Sequence, residues 1–436
     1  MKEWLKISAL LCVYGLLRET RPSEPYVTEF LVGEWRNVTL EEVYRDALPV
    51  GTYSYLAQLV LIFLITDFFK YKPLIIVSGL AGISVWSMLI WTKSLLELQI
   101  LEVFYGTYMA TEIAYFTYIY AKVDKKYYPK VTSHTRAALL VGKLIASVTS
   151  QILVYFEWMN YLELNYITLA TQIASTIWAF FLPNVKTTVY FHRKESFKNE
   201  VNDDSATSHS STNNIMEPQA VTISTKTKPN PFKLIFQHFK NAYTNRYIIQ
   251  WSIWYSTVLC GYLQVISYIQ TLWKAIDENP VVAWNGMVDA ALTFLGAICA
   301  LSAGYIHAGR LSNNSSLLVL SILSICKGGA LLMAILPNKL YLAYAGYIVF
   351  GAVYAFSITV ASAEVAKHLE EDSFGLVFGI NTFIALVLQT ILTVVVVDGH
   401  VILIDIFGQY LIYSGYFGII GVTFGCFVLY EWIMTR

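Results

Sequence analysis

The chain has 436 residues, of which 56% are hydrophobic and 14% charged, with a formal net charge of zero. Soluble domains carry about 25% charged residues, and the apolar residues here fall in long blocks such as Thr52–Phe69 and Thr382–Val397. That pattern excludes an ordinary soluble protein, and the balanced charge points to no polyanionic partner such as nucleic acid.

A helix needs about 20 mostly apolar residues to cross the hydrocarbon of a bilayer. In chain order, twelve segments qualify: 4–31, 50–69, 73–92, 96–121, 129–155, 160–184, 247–271, 283–307, 315–336, 340–367, 374–397 and 406–433. The predicted class is therefore an all-α membrane protein. The first block carries no secretory cleavage pattern and runs into Arg18 and Arg21, so it reads as a span. Between the sixth and seventh spans, Asn199–Asp204 and a Ser/Thr/Asn run from Ser205 to Asn214 lack the apolar surface needed to order themselves. Residues 186–246 thus read as a cytoplasmic, largely flexible linker between an N-terminal six-helix lobe (1–185) and a C-terminal one (247–436).

Lysine and arginine bias orients the spans. With the N-terminus inside, the inner loops hold Lys70, Lys72, Lys122, Lys125, Lys126, Lys130 and Arg136, and the linker adds nine basic residues. The outer loops hold Arg36, Arg45, Lys93, Lys274 and Lys339. Both termini are expected in the cytoplasm, with the plasma membrane as the expected location. Asn37-Val38-Thr39 then faces outward as a glycosylation acceptor. Cys12, Cys260, Cys299, Cys326 and Cys426 all lie in apolar blocks and read as buried thiols.

Ionisable side chains inside spans are costly and point to function. Five stand out: Glu24, Glu112, Lys143, Asp289 and Glu364. In the fourth span Tyr105, Tyr108, Glu112 and Tyr115 recur at spacings of three, four and three, which places them on one helix face. A carboxylate between aromatic faces suits a cationic aromatic ligand, each cation–π contact being worth about 0.5–2 kcal/mol. The alternative is an aromatic packing seam. Glu24 lies in Arg21-Pro22-Ser23-Glu24-Pro25, where two prolines break the helix. Broken helices at membrane depth line protein or a wet cavity, so Glu24 faces either a substrate path or Arg21. Lys143 and Glu364 pair with acids, bases or substrate groups that the sequence leaves open. No phosphate loop, HExxH, CxxC or GxSxG pattern occurs, so neither an enzyme nor a bound cofactor or metal is expected.

These motifs resemble those of the reduced-folate and thiamine transporters, a solute-carrier family of the major facilitator type. The likeness is carried by RPSEP (Arg21–Pro25), TYSYL (Thr52–Leu56), TDFFKYKP (Thr66–Pro73), AYFTYIYA (Ala114–Ala121), the FHR that ends Phe181–Arg193, and LVFGINTFIALVLQTILTVVVVD (Leu376–Asp398). It implies alternating access around a central cavity that binds a vitamin. Folate carriers place basic residues where this chain has Glu112, Gly351 and Gln389, whereas thiamine carriers have glutamate at Glu112 and matching residues at Tyr115, Glu24 and Trp86. Gly51 replaces a ring-stacking tryptophan, Ser267 an asparagine and Asp289 a glutamate, Lys143 stands at a usually uncharged position, and Glu364 replaces a glutamine. The expected thiamine site joins the matching Glu112, Tyr115, Glu24 and Trp86 to Tyr108 of the helix stripe and to Asp289, Ser267 and Lys143, which depart from the family pattern. A reduced-folate or other organic-anion carrier, with Lys143 meeting a carboxylate, is the alternative, and a receptor that binds without transport is a third.

Overall fold

The computed structural model describes residues 2–36, 38–123, 127–185, 231–278, 283–307, 313–336, 339–367, 369, 374–399 and 403–434. Among these residues the protein is helical and contains no strand. The helices are α1 (Glu3–Glu19), α2 (Val27–Val32), α3 (Leu40–Glu42), α4 (Leu48–Phe68), α5 (Lys72–Trp91), α6 (Leu95–Ala110), α7 (Glu112–Lys122), α8 (Tyr128–Tyr155) and α9 (Tyr161–Phe180), followed by α10 (Pro231–Tyr243), α11 (Arg246–Ile276), α12 (Asn285–His307), α13 (Asn313–Ile335), α14 (Leu340–Lys367), α15 (Phe374–Val396) and α16 (Ile406–Met434).

Counting α1 with α2, and α6 with α7, as interrupted spans gives twelve membrane-length segments among the described residues, six before and six after residues 186–230. Among the described residues, seven helices (α5, α8 and α12–α16) are long and apolar enough to cross on their own. The others are either broken or carry polar side chains inward, as α9 does with the buried Asn165, Thr168 and Gln172. Of the linker predicted over 186–246, the described portion is largely helical: α10 is amphipathic and leads directly into α11. Asn37, the expected glycan acceptor, lies outside the described residues. Of the five thiols expected to be buried, Cys260 is, whereas Cys326 and Cys426 lie exposed on the outside of the bundle. An apolar block in a bilayer can turn such a side chain to lipid as readily as to protein.

Local chemistry explains the helix starts. Thr39/Glu42, Ser94/Glu97 and Asn160/Glu163 form reciprocal capping boxes at the starts of α3, α6 and α9, each satisfying donors that a helix N-terminus leaves open. In the loop, the bonds from the Thr39 amide and hydroxyl hold the Glu42 carboxyl below the usual range. The turn from α4 to α5 passes through Lys70 and Tyr71 at φ 63° and 68°.

The α1–α2 break is the feature that positions the site. Helical hydrogen bonding stops at Thr20 and resumes as a single 3₁₀ turn over Glu24–Tyr26, preceded by Pro22 and containing Pro25. Groups released there are taken up by other helices: the Ser23 amide donates to Thr168 Oγ1 at 3.1 Å, and Trp86 Nε1 donates to Ser23 Oγ at 3.0 Å. The broken backbone therefore rests against protein, as membrane depth demands.

Two lobes pack around separate cores. The first gathers Ile7, Leu11, Tyr14, Tyr115 and Tyr118 in one cluster and Val85, Trp86, Leu101 and Tyr108 in another. The second centres on Trp251, Trp254, Tyr268, Phe350 and Phe417. Inter-lobe bonds between described residues gather at the end of the bundle opposite the termini. Lys274 Nζ meets Glu29 Oε2 at 2.7 Å, and Arg45 Nη2 donates to the Ile404 carbonyl at 3.1 Å. The Tyr53 hydroxyl donates to the Asp398 carboxylate. Gln151 Oε1, held within the first lobe by the Tyr26 hydroxyl at 2.8 Å, accepts across the boundary from the Met287 amide at 3.0 Å. That end is closed.

Candidate functional site

A cavity of about 260 Å³ lies between the lobes beneath the closed end. The α1–α2 break contributes Ser23, Glu24 and Thr28; α4 contributes Gly51, Thr52 and Tyr55; α5 contributes Trp86; α6 contributes Glu102, Tyr105 and Met109; and α8 contributes Lys143. The second lobe adds Ser267, Gln270 and Trp273 from α11, Asp289 from α12, Tyr347 from α14 and Gln389 from α15. The wall thus combines aromatic rings with three carboxyls and one ammonium.

Of the residues expected at a binding site, Glu24, Trp86, Lys143, Ser267 and Asp289 meet in this wall. Glu24 also pairs with Arg21 Nη1 at 3.0 Å, and its backbone carbonyl accepts from Gln270 Nε2 at 2.8 Å. The Ser267 hydroxyl donates to the Leu263 carbonyl at 2.8 Å and keeps a free lone pair for a ligand donor. Asp289 and Lys143 are electrostatic neighbours across the lobe boundary.

Glu112, Tyr108 and Tyr115 are placed elsewhere, outside the cavity lining. The fourth span is interrupted at Thr111, between α6 and α7, and Tyr108, Glu112 and Tyr115 all face α1, where Arg18 meets the first two and the Leu11 carbonyl the third. Tyr105 reaches the cavity. Tyr108 is buried beneath Arg18 and Arg21, whose guanidinium carbons lie 4.4 and 5.6 Å from its ring centre. Tyr115 donates to the Leu11 carbonyl at 2.9 Å and fills the space left by Gly15. Glu112 meets Arg18 Nη1 at 3.3 Å. The aromatic faces expected to receive a ligand's charge thus hold the protein's own arginines.

Glu102 is the site residue that the sequence reading missed. It is 8% exposed, lines the cavity and has no hydrogen-bond or ion-pair partner among the described residues. The signal was present: Glu102, Tyr105 and Met109 are spaced three and four apart, so they share a helix face. Gly51 faces this acid, and a Cβ at residue 51 would collide with the Glu102 carboxylate. The small residue on α4 makes the room in which Glu102 stands.

With this geometry in place, comparison with known proteins decides the lineage. Residues 2–412 match the family model described as reduced folate carrier. The chain belongs to the reduced folate carrier family. Human thiamine transporter 1 is 37% identical over 97% of this chain and 89% of its own length. Folate transporter 1 of Caenorhabditis elegans is 36% identical over 98% of this chain and 92% of its own length. Human thiamine transporter 2 is 34% identical over 97% and 89%. Among solved structures, the nucleoside transporter NupG superposes with a TM-score of 0.60 at 14% identity, covering 97% of this chain and 98% of the other. The xylose transporter XylE from E. coli gives 0.62 at 11%, covering 97% and 95%. The fold is therefore the two-lobed, twelve-helix architecture of major facilitator transporters, and this member of the family is a multi-pass membrane protein.

Proposed function

We propose that this family member carries thiamine, or a closely related cationic vitamin, across the plasma membrane by alternating access, with no catalytic step. The observation that carries the reading is the cavity wall: Glu24, Glu102 and Asp289 against the single ammonium of Lys143, with Trp86, Tyr105, Trp273 and Tyr347 supplying aromatic surface. Carboxyl groups beside π faces favour a flat organic cation. The high identity to proteins named thiamine transporters supports the same cargo.

In this reading Glu102 and Asp289 contact the cationic ligand and Trp86, with Tyr105, encloses its rings. Ser267 accepts a ligand hydrogen bond, Glu24 adds a contact from the α1–α2 break, and Lys143 opposes Asp289. Glu112, Tyr108 and Tyr115 hold Arg18 and the first lobe behind the wall. The lobes 1–185 and 247–436 rock about the cavity, with both termini in the cytoplasm and the closed end facing outward.

The test is uptake of labelled thiamine by cells making the protein, with Glu102→Gln beside it. Expected are saturable uptake by the wild type, resistance to excess reduced folate, and a KM raised at least tenfold by the substitution. Unchanged kinetics in Glu102→Gln would reject its role. The second reading, a reduced-folate carrier, draws on Lys143 in the wall and on the similarity to a protein named folate transporter 1. Folate-inhibited uptake that ignores thiamine would favour it.

A further inference from the structure

A carrier that delivers a cation must also return empty. Once the cargo has left, the carboxyls of this cavity face one another inside a bilayer, where an uncompensated charge is expensive. Glu24 has a partner on its own segment, Arg21 Nη1 at 3.0 Å. Asp289 has no such fixed partner: among the described residues no arginine approaches it, and its charged neighbours are Lys143 and Glu24.

Lys143 is the one cation in the described wall, and it forms no ion pair with any described residue. Asp289, Tyr262, Glu24 and Glu19 lie around it. The two side chains come from different lobes, Lys143 from α8 and Asp289 from α12. These helices pack so closely that a Cβ on Gly286 would lie 2.8 Å from the Ser147 carbonyl. Lys143 is four residues before Ser147 and Asp289 three after Gly286, so each lies one turn further into the bundle on antiparallel neighbours. The ammonium rides on a flexible four-carbon stem, able to reach the acid or withdraw from it.

We infer that Lys143 is the tethered counter-cation of the empty carrier: it occupies Asp289 when the cavity is vacant and is displaced by the cationic group of the cargo. This rests on the cation-carrier reading above and adds a kinetic consequence to it. Return of the unloaded protein depends on Lys143, whereas exchange of one cargo molecule for another does not, because the cargo itself then neutralises Asp289.

The experiment uses purified full-length protein in liposomes with labelled thiamine, comparing wild type, Lys143→Gln, Lys143→Arg and the double variant Lys143→Gln/Asp289→Asn. Two modes are measured: net uptake into empty liposomes, and exchange into liposomes preloaded with unlabelled thiamine. Lys143→Gln is expected to lose at least tenfold in net uptake while keeping half or more of its exchange, which also shows that the variant is folded. Lys143→Arg keeps both modes. The double variant, in which the residue 289 side chain no longer needs a counter-cation, regains net uptake to within threefold of wild type at a raised KM. The inference is overturned if Lys143→Gln lowers both modes in proportion or neither, or if the double variant is no better than the single one. Absence of wild-type thiamine flux in both modes would overturn the thiamine reading and this inference with it.

Discussion

Arg18 governs what Glu112 can do. It is 2% exposed, touches Glu19 at 3.0 Å and Glu112 at 3.3 Å, donates to the Tyr108 carbonyl at 3.4 Å and covers the Tyr108 ring. Removing one partner of a buried charge cluster costs about 3–5 kcal/mol because the remaining charge is stranded. Glu112 retains 27% side-chain exposure, which relieves part of that penalty. Arg18→Ala is therefore expected to destabilise the protein by about 3 kcal/mol, read as a lowered midpoint in thermal unfolding of detergent-solubilised protein. The double variant Arg18→Ala/Glu112→Gln should recover part of the loss; no recovery would break the link between the two residues. The acidity of the fourth span was legible in the sequence, but its partner was not. Arg18 and Glu112 are far apart along the chain, and only the fold brings them together. Glu102 was missed for a different reason. It lies near the start of its span and resembles an ordinary helix-end acid until Gly51 is seen opposite it.

At the level of the helix, the interrupted spans carry the site. Two prolines announced the break before α2, and the structure places Ser23, Glu24 and Thr28 at the cavity there. No proline or glycine marks the second interruption, at Thr111. Its hydroxyl donates to the Thr107 and Tyr108 carbonyls, at 2.7 and 3.1 Å. The stripe of Tyr108, Glu112 and Tyr115 keeps to one side across that interruption, but the side is turned to α1 and Arg18 and not to the cavity. The short α2 also carries Glu29, whose ion pair with Lys274 of α11 helps close the far end, with side chains only 11% and 14% exposed. Lys274→Glu sets two acids against each other and should loosen that end. A cysteine placed at Val27, in the cavity wall beneath it, should then react severalfold faster with a membrane-impermeant maleimide. Exchanging both charges, Glu29→Lys/Lys274→Glu, should restore the slower rate. Equal rates in all three proteins would remove the pair from the gate.

At the scale of the molecule, the twelve spans were legible because a bilayer leaves a chain few options: each crossing must satisfy its own backbone over a fixed thickness. The ends of most predicted spans fall within a few residues of the helices for that reason. Which end of the bundle is closed was not legible, since closure depends on pairs such as Arg45 with the Ile404 carbonyl and Tyr53 with Asp398, 359 and 345 positions apart. If the lobes must separate there during each cycle, tethering them stops transport. Cysteines at Tyr53 and Asp398 joined by a short thiol cross-linker should abolish at least nine-tenths of uptake, while either cysteine alone, treated alike, should leave it near the untreated level. Uptake that survives complete cross-linking would contradict the rocking motion.

The central claim is that an acidic, aromatic cavity between the lobes receives an organic cation. Calorimetric binding to the purified protein tests it most directly, using thiamine and a reduced folate as ligands and Glu102→Gln/Asp289→Asn as the control variant. Saturable thiamine binding, weakened at least tenfold in the variant and unaffected by folate, is the predicted result. Folate binding without thiamine binding, or thiamine binding that is indifferent to the loss of both acids, would contradict it.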